Sequence, residues 1–299
     1  PLSIVILITT YKHSLFYFDL ESSHLVMYPF FKDHTRYGAV IAMMLPMVIY
    51  LYSSRKNRLI VIGLIIILVL GLVLSYTRAA WVSLLGACIF GIILKFRVSF
   101  YRFITLVFFS TILLFFSWNT LVMSLEKNTQ DSSTSLKKHV ESVSNISTDA
   151  SNLERINRWN SAIRMFRERP LFGWGPGTYA FQYAPFQRSS EKTIISTNQG
   201  DLGNAHSEFL GPLAESGFIG MLSFIVLMIT VYYCGMNLYY RLENRDLRNL
   251  VFYSLLSLTT YFVHGLLNNF LDTDKLAIIF WTLISVIAVI DIYYKEDSI

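Results

Sequence analysis

Residues 200–236, GDLGNAHSEFLGPLAESGFIGMLSFIVLMITVYYCGM, pass from polar to apolar in one unbroken stretch. The first half carries His206, Glu208 and Glu215, whereas 218–236 holds no charged residue at all. A charge-free apolar run of about 20 residues is the length that crosses the hydrocarbon core of a bilayer as a helix. The stretch therefore reads as a water-facing segment delivered straight to a membrane surface.

Working outward, further apolar runs at 37–52, 59–74, 79–94, 103–123, 250–266 and 276–293 read as spans, and 1–10 as the tail of another. That makes about seven complete spans and one partial one. Composition agrees: 54% of the 299 residues are hydrophobic and only 15% are charged, with a mean hydropathy of +0.47. Soluble domains carry about 25% charged residues. The expected fold class is an all-α integral membrane protein, a polytopic helical bundle with a large helical outer loop. Three parts are expected: 1–123, the first part of the membrane domain; 124–216, the loop with the catalytic segment; and 217–299, the C-terminal spans. Cys88 and Cys234 fall inside spans and read as packing residues. Pro1 begins in mid-run, without a Met or a signal-type leader, so the chain reads as the C-terminal part of a longer protein.

Orientation follows from the short connections. Segments 53–58, 95–102 and 237–249 carry three Lys/Arg each, while 75–78 and 267–275 carry one each. The positive-inside rule puts the first set in the cytoplasm. The net charge of +5 is thus topological and does not point to nucleic acid. Loops 11–36, 75–78, 124–216 and 267–275 share the outer face, with every polar feature of chemical interest.

The long loop changes character along its length. Residues 127–152 are Ser/Thr-rich and expected to be mobile, with a glycosylation-type triplet at Asn145. From Leu153, apolar residues at 156, 159, 163 and 166 predict an amphipathic helix that stops before Pro170, decorated by Arg155, Arg158, Arg164, Arg167 and Arg169. GWGPG at 173–177 predicts a tight turn. Beyond it, Asn204 is an expected N-cap of a helix over 205–216, kinked at Pro212 and ended by Gly217. His206 would then stand in the first turn, where the helix dipole keeps an imidazole neutral.

Each candidate has a bland reading beside the chemical one. His206 is either a base or a loop histidine that only hydrogen-bonds. Arg78, in SYTRAAW at the outer end of a span, is either a phosphate ligand of the forked kind or a snorkelling charge. Arg155 and Arg158, three apart on one helix, are either a phosphate clamp or a solvated face, and on physics alone the solvated face wins. Lys32, Asp33, His34 and Arg36 read first as an interfacial anchor. Asn268, Asn269, Asp272 and Asp274 are given no more than a rim role. No glycine-rich phosphate loop, zinc-type His pair or Asp-x-Asp pair is present, so no metal or cofactor is expected.

Four blocks, PFFKDHTRYGAVIAMMLP, SYTRAAW, ERINRWNSAIRMFRERPLFGWGPGTY and NAHSEFLGPLAESGFIG, occur in order on the outer side between Pro29 and Gly220. In order and spacing they resemble the O-antigen ligase and polymerase superfamily. The resemblance implies a multi-pass enzyme of the bacterial inner membrane with its active face in the periplasm. Such enzymes move a glycan from undecaprenyl pyrophosphate to an acceptor hydroxyl, without metal or nucleotide. It also implies further spans ahead of Pro1. By position, the family's loop histidine falls on His206, its span-end arginine on Arg78, and its loop arginine on Arg155 or Arg158. Ser207 stands where many relatives have Asn.

The expected chemistry is direct displacement at the anomeric carbon with inversion. His206 would activate the acceptor, and the arginines would hold the pyrophosphate. Glu208 or Glu215 would orient His206 or bind sugar, with Arg36, His34, Asn204 and Trp174 as further substrate contacts; Trp174, Tyr179, Phe181 and Tyr183 could stack on sugar rings or serve structure alone. Expected partners are the lipid-linked glycan donor, a lipid or glycan acceptor and membrane lipids, with no nucleic acid. Ligation is favoured over polymerisation and over transfer to protein. The different-class alternative is a transporter with a solute-binding outer loop, against which stands the lack of an internal repeat.

Overall fold

The computed structural model describes residues 1–19, 23–54, 57–126, 150–193, 196 and 203–294. Asn145, the Ser/Thr-rich run up to 149 and Gly200 to Leu202 of the opening stretch lie outside the described residues. Every regular element among the described residues is helical, and no strand occurs there. In chain order the α-helices are α1 (Leu2–Leu15), α2 (Ser23–Val26), α3 (His34–Ser54), α4 (Arg58–Leu74), α5 (Arg78–Lys95), α6 (Phe100–Glu126), α7 (Ala150–Glu168), α8 (Tyr179–Gln182), α9 (Leu210–Arg241), α10 (Arg245–Gly265) and α11 (Asp274–Tyr293).

His34–Ser53, Arg78–Lys95, Leu210–Arg241 and Asp274–Tyr293 are long and apolar enough to cross a membrane, and Leu2–Leu15, Arg58–Leu74 and Phe100–Leu113 are shorter apolar helices. The chain is thus a multi-pass helical membrane protein. The expected span at 250–266 is helical as α10 but is not among the most apolar. Ser254, Ser257, Thr259 and Thr260 are buried along it. The two threonine hydroxyls are satisfied locally: Thr259 donates to the Leu255 carbonyl at 2.7 Å and Thr260 to that of Ser257 at 2.7 Å. A helix enclosed by other helices can carry such groups, whereas a lipid-facing one has no partner for them.

The chain forms two compact units. The first comprises Pro1–Phe100, Met228–Gly265 and Phe270–Ile299, and the second Tyr101–Leu227 with Leu266–Asn269. In the first unit α10 packs against both α3 and α5, α3 against α4, and α11 against α10. Small residues set these approaches. A Cβ added at Gly86 would lie 2.9 Å from Val263, and one at Gly91 would lie 3.3 Å from Leu256.

In the second unit α7 ends at Glu168, ahead of Pro170 as its sequence requires. The apolar stripe at 156, 159, 163 and 166 is not what it buries. The buried face is Glu154, Asn157, Arg158, Ser161, Ala162 and Met165, while the predicted stripe stays half-buried. Polar groups fill that face because Gln187, Thr193 and Ser196 supply hydrogen-bond partners for them. The unit's small core gathers Ala162, Met165, Tyr179, Tyr183, Ala205 and Ala214, with Trp174, Phe186 and Leu210 at its edge.

Candidate functional site

The helix expected over 205–216 begins only at Leu210, so His206 stands ahead of it rather than in its first turn. Asn204 turns the chain back before a helix can start. Its Oδ1 accepts the His206 N–H at 3.1 Å, and His206 takes a left-handed φ of 49°. Ser207 does the capping instead: its Oγ accepts the N–H groups of Phe209 at 3.3 Å and Leu210 at 3.4 Å. Pro212 produces no kink. It sits in the first helical turn, where its missing N–H belongs to the set that has no intrahelical partner anyway.

The break falls five residues later, at Gly217, with φ 67° and ψ −162°. A Cβ there would collide with the Leu171 carbonyl, and one at Gly173 would collide with the Glu215 backbone. The two glycines let the Pro170–Gly177 turn cross the end of the helix. Phe218 N–H donates to Pro170 at 2.8 Å, Trp174 N–H to Ala214 at 3.1 Å and Gly175 N–H to Glu215 at 2.7 Å. The Glu215 carboxylate closes the latch, accepting from Gly177 N–H at 3.0 Å and Tyr179 N–H at 2.9 Å. Glu215 therefore shapes the glycine-rich turn, and both its oxygens are engaged there. Glu208 is buried.

Three further bonds seat the His206 segment. Trp159 Nε1 donates to the His206 carbonyl at 3.2 Å. Asn204 Nδ2 donates to the Asn269 carbonyl at 3.2 Å, so both ends of this amide are engaged with backbone. Gly211 N–H donates to the Ser207 carbonyl at 3.0 Å.

The loop arginines separate. Arg158 is buried, its Nε 2.6 Å from Glu154 Oε1 and its guanidinium carbon 4.1 Å from the centroid of the Tyr183 ring. Glu154 also accepts from Ser196 Oγ, from Thr193 Oγ1 at 3.1 Å and from Asn157 Nδ2 at 3.3 Å. Burial pushes the Glu154 carboxyl up, but the bonds from Ser196, Arg158 and Asn157 and the Arg158 charge outweigh it, so its pKa lies below the usual value. Arg155 is half-buried, one turn before Trp159. Arg164 is held by Glu191 at 2.5 Å and by the Phe186 carbonyl at 2.6 Å.

The aromatics of the turn serve the interior more than a surface. Tyr179 and Tyr183 are buried and stacked at 5.3 Å, and the Tyr179 hydroxyl, its pKa raised by burial, donates to the Arg158 carbonyl at 2.8 Å. Trp174 lies edge-on to Phe186 at 5.5 Å with Arg169 over its face, and Nε1 donates to Met165 at 3.1 Å. Phe181 is exposed.

Arg78, His34 and Arg36 belong to the first unit. Arg78 opens α5 and is exposed. The turn before it is strapped to the start of α3: His34 Nδ1 donates to the Ser75 carbonyl at 2.7 Å, and Thr77 Oγ1 to the His34 carbonyl at 3.0 Å. Asp33 caps α3 through Arg36 N–H at 2.8 Å, and the Arg36 guanidinium carbon lies 5.3 Å from the centroid of the Phe270 ring. The structure thus gathers His206, Asn204, Glu208, Glu215, Trp174, Arg155 and Arg158 in one unit, and Arg78, His34 and Arg36 in the other.

Sequence reasoning gave no role to Glu154, to the Trp159 indole or to the Ser207 hydroxyl, and gave Asn269 only a rim role. Two signals were there to be read. Glu154 four residues ahead of Arg158 is the favourable order for a helical ion pair, and Ser207 lies three residues before Leu210, the spacing of an N-cap.

Comparison with curated proteins and with solved structures found no match. The family model described as O-antigen ligase matches residues 63–225, more than half of the chain and the region that carries SYTRAAW, the α7 block and the His206 segment. With a helical membrane architecture and those blocks in that order, the chain belongs to the O-antigen ligase family.

Proposed function

We propose that the chain is a glycosyltransferase of the bacterial inner membrane, acting at its periplasmic face. It moves a glycan from undecaprenyl pyrophosphate to an acceptor hydroxyl, in the manner of a ligase. The observation that carries this reading is the His206 segment. In a chain of this family, a histidine is fixed in a left-handed conformation by Asn204, Trp159 and a Ser207 cap. Those bonds fix the backbone on both sides of the His206 Cα, and so the point from which its imidazole extends, which suits a base that must meet one oxygen.

In the proposed step the acceptor oxygen attacks the anomeric carbon from the face opposite the leaving group, and the configuration inverts. His206 takes the hydroxyl proton as the new C–O bond forms. The bond from carbon to phosphate oxygen breaks, and its electron pair stays with the lipid pyrophosphate. That leaving group needs no proton, only fixed positive charge. Arg78 and one of the two loop arginines, Arg155 or Arg158, supply it, which makes the step independent of a metal. Arg36 and His34 are proposed to contribute to donor binding, and Glu208 to sugar binding. Asn204, Glu215 and Trp174 contribute by shaping the segment that carries the base.

The test is reconstituted glycan transfer with an undecaprenyl-pyrophosphate donor. His206→Ala inserts normally and loses transfer by a factor of about 100 or more, the range set by removal of a positioned general base. Transfer at the wild-type rate would remove His206 as the base.

A further inference from the structure

Arg158 is the one arginine among the described residues that is buried. Its burial, with the side chain 6% exposed, leaves little of its guanidinium within reach of a ligand. Nε is taken by the Glu154 carboxylate, whose side chain is 6% exposed, like that of Arg158. One face lies on the Tyr183 ring. Nη1 has no hydrogen-bond partner, and it abuts Gly203 so closely that a Cβ there would overlap it. The contact with the 203–207 segment is therefore one of packing and position.

We propose that Arg158 is a positioning residue for His206 rather than a contact to the donor pyrophosphate, which leaves Arg155 as the loop cation for that group. The proposal deepens the glycan-transfer reading and rests on it for its kinetic consequence. Glu154 is the anchor, held in turn by Thr193 and Ser196, so the cation has one seat. From that seat residues 158 and 159 grip the segment at two points. The guanidinium sits against Gly203, and the neighbouring Trp159 indole holds the His206 carbonyl. The Tyr179 hydroxyl fixes the Arg158 backbone itself, and Tyr179 N–H is fixed by Glu215. A pair already neutral within itself offers the donor's phosphates little net charge, whereas a pair that holds the catalytic segment controls where the base stands.

The experiment compares Arg158→Met, Glu154→Gln and the paired Glu154→Gln/Arg158→Met in the full chain. It measures kcat, donor KM and amide hydrogen exchange over residues 203–207. A buried carboxylate left without its cation is the damage in Arg158→Met, and the paired variant removes it without restoring any charge at 158. The expected result is a fall of up to about 100-fold in kcat for Arg158→Met at unchanged donor KM. Exchange at 203–207 becomes faster, and the pair, which relieves the unpaired carboxylate without restoring the contact with Gly203, reverses both effects only in part.

A donor KM raised equally in Arg158→Met and in the pair, with exchange at 203–207 unchanged, would overturn the proposal and make Arg158 a donor contact. Should Arg158→Met fail to insert, Glu154→Gln decides, because it keeps the cation and the hydrogen-bonding shape. Lower kcat with faster exchange is then expected, and wild-type values overturn the proposal. A wild-type chain that transfers no glycan would sink the glycan-transfer reading alone, since the exchange measurement still decides on Arg158.

Discussion

His206 carries a φ of 49°, a conformation that a non-glycine residue adopts only when its surroundings impose it. The imposing groups are identifiable: the Asn204 amide, the Trp159 indole and the Ser207 cap. Asn204 is the most informative of them because its two ends do different work. Oδ1 holds the His206 N–H, and Nδ2 holds the Asn269 carbonyl. Asn204→Asp keeps the first bond, loses the second and sets a carboxylate against a carbonyl oxygen. The loss of one such bond, worth about 1 kcal/mol, predicts a roughly fivefold fall in kcat. Donor KM should be unchanged, and steady-state kinetics across a donor series checks both. A KM rise with kcat intact would instead make Asn204 a sugar contact. Ser207 carries a related lesson. Its hydroxyl caps the start of α9, and Asn, the other residue type expected at this position, is a competent cap too.

At the scale of elements, the membrane helices were legible in sequence because lipid accepts so few residue types. Each expected span lies on a helix of the fold. The stop of α7 before Pro170 and the break at Gly217 were legible for the same kind of reason, since proline and glycine act locally on the backbone. The buried face of α7 was not. Hydrophobic periodicity finds a face covered by apolar neighbours, but this face is covered by Gln187, Thr193 and Ser196, and partners 30 or more residues away leave no local trace. The start of α9 was misread because Asn204 and Ser207 are both competent caps, and only the tertiary bonds of Asn204 decide between them.

The buried pair on α7 makes a pH prediction. Folding lowers the Glu154 pKa from its ordinary 4.5, so the stabilisation it brings is present above that value and is lost as pH falls through the folded pKa. Glu154→Gln mimics the protonated form. The unfolding midpoints of wild type and Glu154→Gln should therefore differ by a constant amount at neutral pH and converge below about pH 4.5. A gap that persists on acidification would mean that shape, and not charge, is what Glu154 supplies.

At the scale of the whole molecule, His206 and Arg78 belong to different compact units. Arg78 is placed against local preference. It is the first residue of α5, where the positive end of the helix dipole disfavours a cation by a few tenths of a kcal/mol. It is also exposed, so burial does not hold it there. The turn that presents it is nevertheless built with care. His34 and Thr77 tie 75–77 to the start of α3, and a Cβ on Gly38 would lie 2.8 Å from Thr77. The proposed anion fits this position, because the dipole and the guanidinium attract the same ligand. Arg78→Lys separates this from simple topology. The charge is kept, so insertion and orientation are unchanged, but an ammonium cannot make the two parallel bonds of a guanidinium to phosphate oxygens. A fall of about 100-fold in kcat/KM for the undecaprenyl-pyrophosphate donor is expected, the scale of losing one fixed donor to a developing anion. Turnover equal to wild type would leave Arg78 a topological charge.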